Sequence, residues 1–141
     1  MTGYSKVFLD TAPLIYFLDS DEMRGGRVKA IFEEILNSGR TIVTSVITCE
    51  EYLVYPYRTG NVEKVQAFFD FTGDFNITLY PVTQRIAQEA ARIRAKYALF
   101  KSMDALQLAT AAVVGCDVFL TNDRQLLQFQ EIRCITPEQW L

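Results

Sequence analysis

Four acidic positions stand out by residue type and by what precedes them. Asp10 directly follows the apolar run Val7-Phe8-Leu9 and leads through Thr11-Ala12-Pro13 into an amphipathic segment. Asp123 follows a second apolar run, Val118-Phe119-Leu120, after Thr121 and Asn122. Asp104 opens an alanine-rich helical stretch, and Glu50 and Glu51 lie inside another helix. A carboxylate at the end of a buried strand costs several kcal/mol unless something compensates it. The sequence contains no histidine. That excludes Ser-His-Asp and Cys-His nucleophilic catalysis, imidazole-based RNA cleavage and imidazole metal sites. The remaining chemistry is that of oxygen ligands, and acids gathered at one point form a site for Mg²⁺ or Mn²⁺. Each acid also has a plain structural use. Asp104 suits the first turn of a helix, where it favours the dipole by about 0.3–1 kcal/mol. Asp123 and Asp10 can cap or turn the chain, and Glu51 can be an exposed helix residue. Only the four together point to chemistry.

The elements that must position these acids alternate between strand and helix. Val7 to Leu9 forms a short buried strand, and a helix starts with Leu14-Ile15-Tyr16-Phe17-Leu18. Asp19 to Glu22 is a polar break able to cap the next helix, in which Val28, Ile31, Phe32, Ile35 and Leu36 recur at helical spacing until Asn37-Ser38-Gly39. Thr41 to Thr44 is a β-branched strand. Ser45 to Tyr57 is a helix ending near Pro56 and Gly60, and Asn61 to Phe71 is a further amphipathic segment. Ile77 to Val82 makes a third strand. Helices over Gln84 to Tyr97 and from Ser102 to Gly115 follow, then the strand Val118 to Leu120, a short helical piece and a last strand, Ile132 to Ile135. Pro137 and Trp140 belong to a docking tail. Strands separated by helices imply crossovers and a mostly parallel sheet, with sites outside the carboxyl ends of its strands.

Composition agrees with one domain over residues 1–141. Half of the residues are hydrophobic and 22% are charged, the balance of a globular core. No apolar run approaches the roughly 20 residues of a membrane span, and no signal peptide opens the sequence, so a cytoplasmic protein is expected. Cys49, Cys116 and Cys134 are scattered among apolar neighbours and read as reduced core thiols. The formal net charge of −3 gives no overall attraction to nucleic acid, so any such binding needs a local patch. Arg85, Arg92, Arg94, Lys96 and Lys101, all preceding Asp104, are the candidate RNA-binding residues. Tyr52, Tyr55 and Tyr57 suit core packing or a dimer contact better than base stacking.

The segments Leu9-Asp10-Thr11, Thr48-Cys49-Glu50-Glu51, Met103 to Ala111 and Leu120-Thr121-Asn122-Asp123 resemble the PIN-domain nucleases, especially the VapC-like toxins of toxin–antitoxin pairs. The resemblance covers nearly the whole chain in order. It implies a three-layer α/β/α, Rossmann-like domain with a central, mostly parallel sheet of four to five strands. It assigns the acids to Asp10, Glu51, Asp104 and Asp123, with Glu51 chosen over Glu50 because the family's Glu stands third after the Thr matched by Thr48. Thr11, Thr121 and Asn122 fall at supporting polar positions. The implied activity is Mg²⁺- or Mn²⁺-dependent hydrolysis of RNA phosphodiester bonds, and the implied partners are a cognate antitoxin and a second copy in a homodimer. Two positions depart from the pattern: Ala12 replaces a frequent Asn or Ser, and Gln125 replaces a frequent further acid. They weaken the case for a second metal ion more than for the first. A non-catalytic PIN-fold binding module is one alternative. A haloacid-dehalogenase-like phosphatase is another, although Ala12 stands where that chemistry needs a second Asp.

Overall fold

The computed structural model describes residues 5–19 and 22–140. Five strands form one sheet, all parallel: β1 (Lys6–Leu9), β2 (Thr41–Ser45), β3 (Thr78–Tyr80), β4 (Val118–Leu120) and β5 (Arg133–Ile135). Their spatial order is β3-β2-β1-β4-β5. The chain winds outward from β1 through β2 to β3, then crosses back to the other side of β1 for β4 and β5. The reversal falls between β1 and β4, where Phe8 is in register with Phe119 and Leu9 with Leu120. Binding sites of open parallel sheets form in the crevice at such a reversal, outside the carboxyl ends of the strands.

Alternation of side chains along each strand divides the apolar residues between two layers. Val7, Leu9, Ile42, Val118 and Leu120 face one side and pack with Leu14, Phe32, Ile35, Leu53 and Phe68 of helices α1 (Thr11–Leu18), α2 (Glu22–Asn37), α3 (Val46–Arg58) and α4 (Val62–Asp74). Phe8, Val43 and Phe119 face the other side and pack with Ile86, Ile93, Leu108 and Ala109 of α5 (Gln84–Lys96) and α6 (Ser102–Val113). Phe8 and Phe119 stack at 5.0 Å, their planes only 5° apart. The result is the expected three-layer α/β/α arrangement, with the inner strands β1, β2 and β4 buried on both faces and the edge strands β3 and β5 partly exposed.

Most boundaries follow the sequence reading, and the exceptions have local causes. The first helix begins at Thr11, because Asp10 caps it by accepting the Thr11 N–H at 2.9 Å. Ser20 and Asp21 of the expected polar cap lie outside the described residues. α3 runs one residue past the expected Tyr57, to Arg58, with Pro56 buried inside it. The turn to α4 comes, as expected, at Gly60, whose φ of +64° suits a residue without a Cβ. β3 is shorter than expected, since Pro81 offers no N–H to extend the ladder. The tail docks on α2, with Trp140 buried and its indole N–H donating to Glu34 at 2.7 Å.

Helices α1 and α2 approach each other through Gly25. A Cβ there would stand 2.6 Å from the Tyr16 carbonyl oxygen, a backbone atom that cannot rotate away. Gly25→Ala is therefore expected to cost about 1–3 kcal/mol despite the better helix propensity of Ala. A urea unfolding midpoint at or above that of the unsubstituted protein would contradict this close approach.

Candidate active site

Asp10 is held at the carboxyl end of the central strand by three hydrogen bonds, two of which reach across the reversal. Its backbone N–H donates to the Leu120 carbonyl at 3.0 Å, continuing the β1–β4 ladder one residue past the strand. Its two carboxylate oxygens accept from different partners: Oδ1 from the Thr11 N–H, and Oδ2 from the Thr121 hydroxyl at 2.8 Å. Thr121 in turn accepts the Asp123 N–H at 3.0 Å, and Asp123 accepts the Gln125 N–H at 2.9 Å. Asp123 thus caps the 3-10 turn Arg124–Gln128 while staying beside the reversal, exposed to solvent.

Glu51 comes from α3. Its Oε1 accepts the Thr11 hydroxyl at 2.6 Å, so the residue after Asp10 ties the two acids together. Both Glu50 and Glu51 are exposed, but the charge of Glu51, not Glu50, is felt by Asp10 and Asp104. Asp104 sits half-buried in the first turn of α6, where the charges of Asp123 and Glu51 reach it. All four acids therefore share one field at the carboxyl edge of the sheet.

That field is costly without a counter-charge. Burial pushes the Asp10 carboxyl up to about 6 from its ordinary 3.8, despite the lowering bonds from Thr121 and Thr11, and the charges of Asp104 and Glu51 add to the rise. The Asp104 carboxyl is raised too, chiefly by burial and then by Asp123, with the Lys101 N–H and charge pulling the other way. The Asn122 side-chain oxygen, between Thr121 and Asp123, is buried with no hydrogen-bond partner among the described residues. Such a group costs about 1–3 kcal/mol unless something binds it. The donors available for a bound cation are thus all hard oxygens. Among the described residues, no three acidic or thiol groups converge into a preformed cage.

The structure separates the five expected basic residues. Lys101 caps the start of α6 beside Asp104. Arg92 is spent on Glu89 and Glu131, with contacts of 2.5 Å to each, and Lys96 lies 3.7 Å from Glu131, so these two are paired within the protein. Arg85 lines an open groove with Gln88, Ala112 and Val113. It sits about 12 Å along α6 from Asp104, because α5 runs back past that helix and brings its start to the far end. Arg94 makes no ion pair among the described residues. A continuous basic wall beside the acids is therefore not formed. Tyr52 is buried against Phe68 with ring centroids 5.6 Å apart, whereas Tyr55 and Tyr57 are exposed. All three cysteines are free, and burial pushes the Cys116 and Cys134 thiols up to about 12, so neither is a nucleophile at neutral pH.

Residues 7–132, from the first strand to the segment before β5, match the PIN domain family. The chain belongs to that family. Among solved structures, this PIN domain is similar to a VapBC2 complex from Rickettsia felis bound to a promoter DNA fragment, with 13% identity, TM-score 0.77, and 93% of this chain and 98% of that one covered. It is also similar to DNA-bound VapBC from Salmonella typhimurium, at 21% identity and TM-score 0.69, covering 94% and 98% of the two chains. A third is VapC20 of Mycobacterium tuberculosis, described as a sarcin-ricin loop cleaving toxin, at 18% identity and TM-score 0.65, covering 90% and 98%. Comparison with curated proteins returns no sequence match. Family membership sets aside the phosphatase alternative. PIN domains of this kind are generally nucleases.

Sequence reading missed the support beneath the acids. Gln107, Thr48, Thr44 and Ser45 are buried and bonded to one another, contacts that their spacing along the chain does not announce. A signal was present: Gln107 is the one amide in a helix whose other buried residues are Ala, Leu and Thr, one turn after Asp104.

Proposed function

We propose that this PIN domain is a divalent-cation-dependent endoribonuclease, the toxin of a VapBC-type pair. The observation that carries this reading is the gathering of Asp10, Glu51, Asp104 and Asp123 at the β1–β4 reversal, with Asp10 raised by burial and with Lys101, beside Asp104, the one cation felt by the Asp10 and Asp104 carboxyls among the described residues. A pure binding module has no use for such repulsion. The missing cage does not count against Mg²⁺, which keeps several waters and is often held by one or two carboxylates together with substrate phosphate. Asp10, Asp104 and Asp123 would hold the ion, with the Asn122 oxygen as an uncommitted donor nearby.

A bound Mg²⁺ or Mn²⁺ supplies Lewis acidity, making water acidic enough to attack phosphorus and offsetting charge on the phosphate oxygens. The protein's own groups do the rest. Thr121 and Thr11 fix the two oxygens of Asp10 so that it needs no reorganisation. Glu51, anchored by Thr11, orients the attacking water and takes up its proton. Lys101 and the start of α6 attract the phosphate, and Arg94 is a further cation on α5 that makes no ion pair among the described residues. The expected ends are a 5′-phosphate and a 3′-hydroxyl. A cognate antitoxin would cover the acidic edge with a cation of its own, and a homodimer would use the exposed Tyr55 and Tyr57. Among the described residues no helix is long and apolar enough to cross a membrane, in keeping with the cytoplasmic location proposed for such a toxin.

The test is direct. Purified protein with Mg²⁺ or Mn²⁺ is incubated with total cellular RNA, and the ends produced are mapped. Absence of any cut, or equal cutting by Asp10→Asn, would refute the nuclease reading.

A further inference from the structure

A line of buried hydrogen bonds runs beneath the acids, and its polarity is fixed by its ends. The Ser45 hydroxyl accepts the Ile47 N–H at 3.1 Å and meets Gln107 Oε1 at 2.5 Å. Gln107 Nε2 donates to the Thr48 oxygen at 2.8 Å. The Thr48 and Thr44 oxygens are 2.7 Å apart, and the Thr44 oxygen is 2.6 Å from the Leu9 carbonyl. A carbonyl only accepts, so the single Thr44 hydrogen goes to Leu9, and the Thr48 hydrogen must go to Thr44. Thr48 then has only lone pairs left, which is what the Gln107 amide requires. Likewise the Thr11 hydrogen is committed to the Glu51 carboxylate. Five bonds thus point one way, from the start of α3 through α6 and back to the peptide preceding Asp10. Ser45, Thr44 and Thr48 are fully buried and Gln107 is 2% exposed, so no water can substitute for a lost partner.

Resting on the nuclease reading above, we propose that Gln107 is a positioning residue, which holds α6, and with it Asp104, at a fixed separation from Asp10 and Glu51. Gln107 lies three residues after Asp104 on the same face of the helix. Its bonds end on Thr48, one turn before Glu51, and through Thr44 on Leu9, the neighbour of Asp10. Its amide is the required chemistry, because one end must accept from Ser45 and the other donate to Thr48. A carboxylate presents Thr48 with a second acceptor. Leucine fills the volume but leaves the Ser45 hydrogen and the Thr48 lone pairs unmet.

The experiment compares Gln107→Leu, Gln107→Glu, Thr48→Val, Thr48→Ser and the double variant Gln107→Leu/Thr48→Val. In the metal-free protein, Mn²⁺ affinity is measured, and NMR reads exchange of the Gln107 side-chain amide protons. Expected are slow amide exchange in the unsubstituted protein and a roughly 10–100-fold loss of kcat and of Mn²⁺ affinity in the Gln107 variants, with KM for RNA within about threefold. Thr48→Ser, which keeps the hydroxyl, should retain both, and the double variant should be no worse than the worse single one, as for groups acting as a unit. Unchanged kcat and Mn²⁺ affinity in Gln107→Leu, losses that multiply in the double variant, or fast amide exchange would overturn the proposal. If Gln107→Leu does not fold, the contrast between Thr48→Val and Thr48→Ser decides. If the unsubstituted protein cuts no RNA, the nuclease reading falls, while Mn²⁺ affinity and amide exchange still judge the positioning role.

Discussion

Asp10→Asn is expected to reduce RNA cleavage by at least about 1,000-fold while leaving the metal-free protein as stable as before or more so. The two effects have one origin. Asp10 is the acid at the centre of the sheet, with both oxygens aligned by Thr11 and Thr121, so an amide there removes a ligand charge from the shared field. The same charge is a burden in the absence of a cation, because burial has pushed the Asp10 carboxyl up to about 6. An amide of the same shape still accepts the Thr11 N–H and carries no charge to desolvate. Activity measured alongside thermal unfolding separates this from a structural role. Clear unfolding of Asp10→Asn at neutral pH would make Asp10 a structural hydrogen-bond acceptor instead.

Cation removal should produce the second large effect, and its sign depends on pH. The folded Asp10 carboxyl lies near 6 and its unfolded value is 3.8, so between these values the native state holds the extra proton. Without metal, this group's contribution to stability is complete below about 3.8 and is lost as pH rises through about 6, a change of about 3 kcal/mol for a shift of this size. Asp104, raised by burial and by Asp123, shifts in the same direction. Mg²⁺ or Mn²⁺ competes with the proton, so its stabilising effect should be small at pH 5, grow through pH 6 and level off above pH 7. Cleavage should follow the same rise, and a chelator should abolish it. Groups with lowered carboxyls act oppositely, among them Asp117, where the Ser5 and Lys6 N–H bonds outweigh burial. Subtracting the pH profile of Asp10→Asn cancels them. The idea fails if added cation stabilises the protein equally at pH 5 and pH 8.

Much of this could be read from residue types because the fold obeys local rules. Fully apolar triplets at Val7-Phe8-Leu9 and Val118-Phe119-Leu120 announce strands buried on both faces, and helices between strands dictate parallel pairing. The position of Asp10 at the strand-order reversal then follows from topology. The fate of the cations could not be read that way. Arg92 is claimed by Glu131, 39 residues away in sequence, a pairing set by how the segment before β5 returns to α5. Arg85 is carried to the wrong end of α6 because the two helices run in opposite directions. Glu50 and Glu51 are neighbours on one helix, and only the tertiary contact with Thr11 distinguishes them. Pro56 shows the converse limit: packing in the α3–α4 layer keeps a residue inside a helix that local preference would have ended there.

The hydrogen bond from the Asp10 N–H to the Leu120 carbonyl places the site's repulsion on the central strand of the sheet and its neighbour β4. A charged loop could relieve such stress by fraying, whereas strands inside a sheet generally open at free energies close to that of global unfolding. The acids are therefore expected to be coupled to global unfolding, so that a cation or partner neutralising them should also lengthen survival against proteases. In a cell, an unaccompanied copy would be the copy most readily degraded, so under the proposed function catalytic readiness and persistence would be governed by the same occupant.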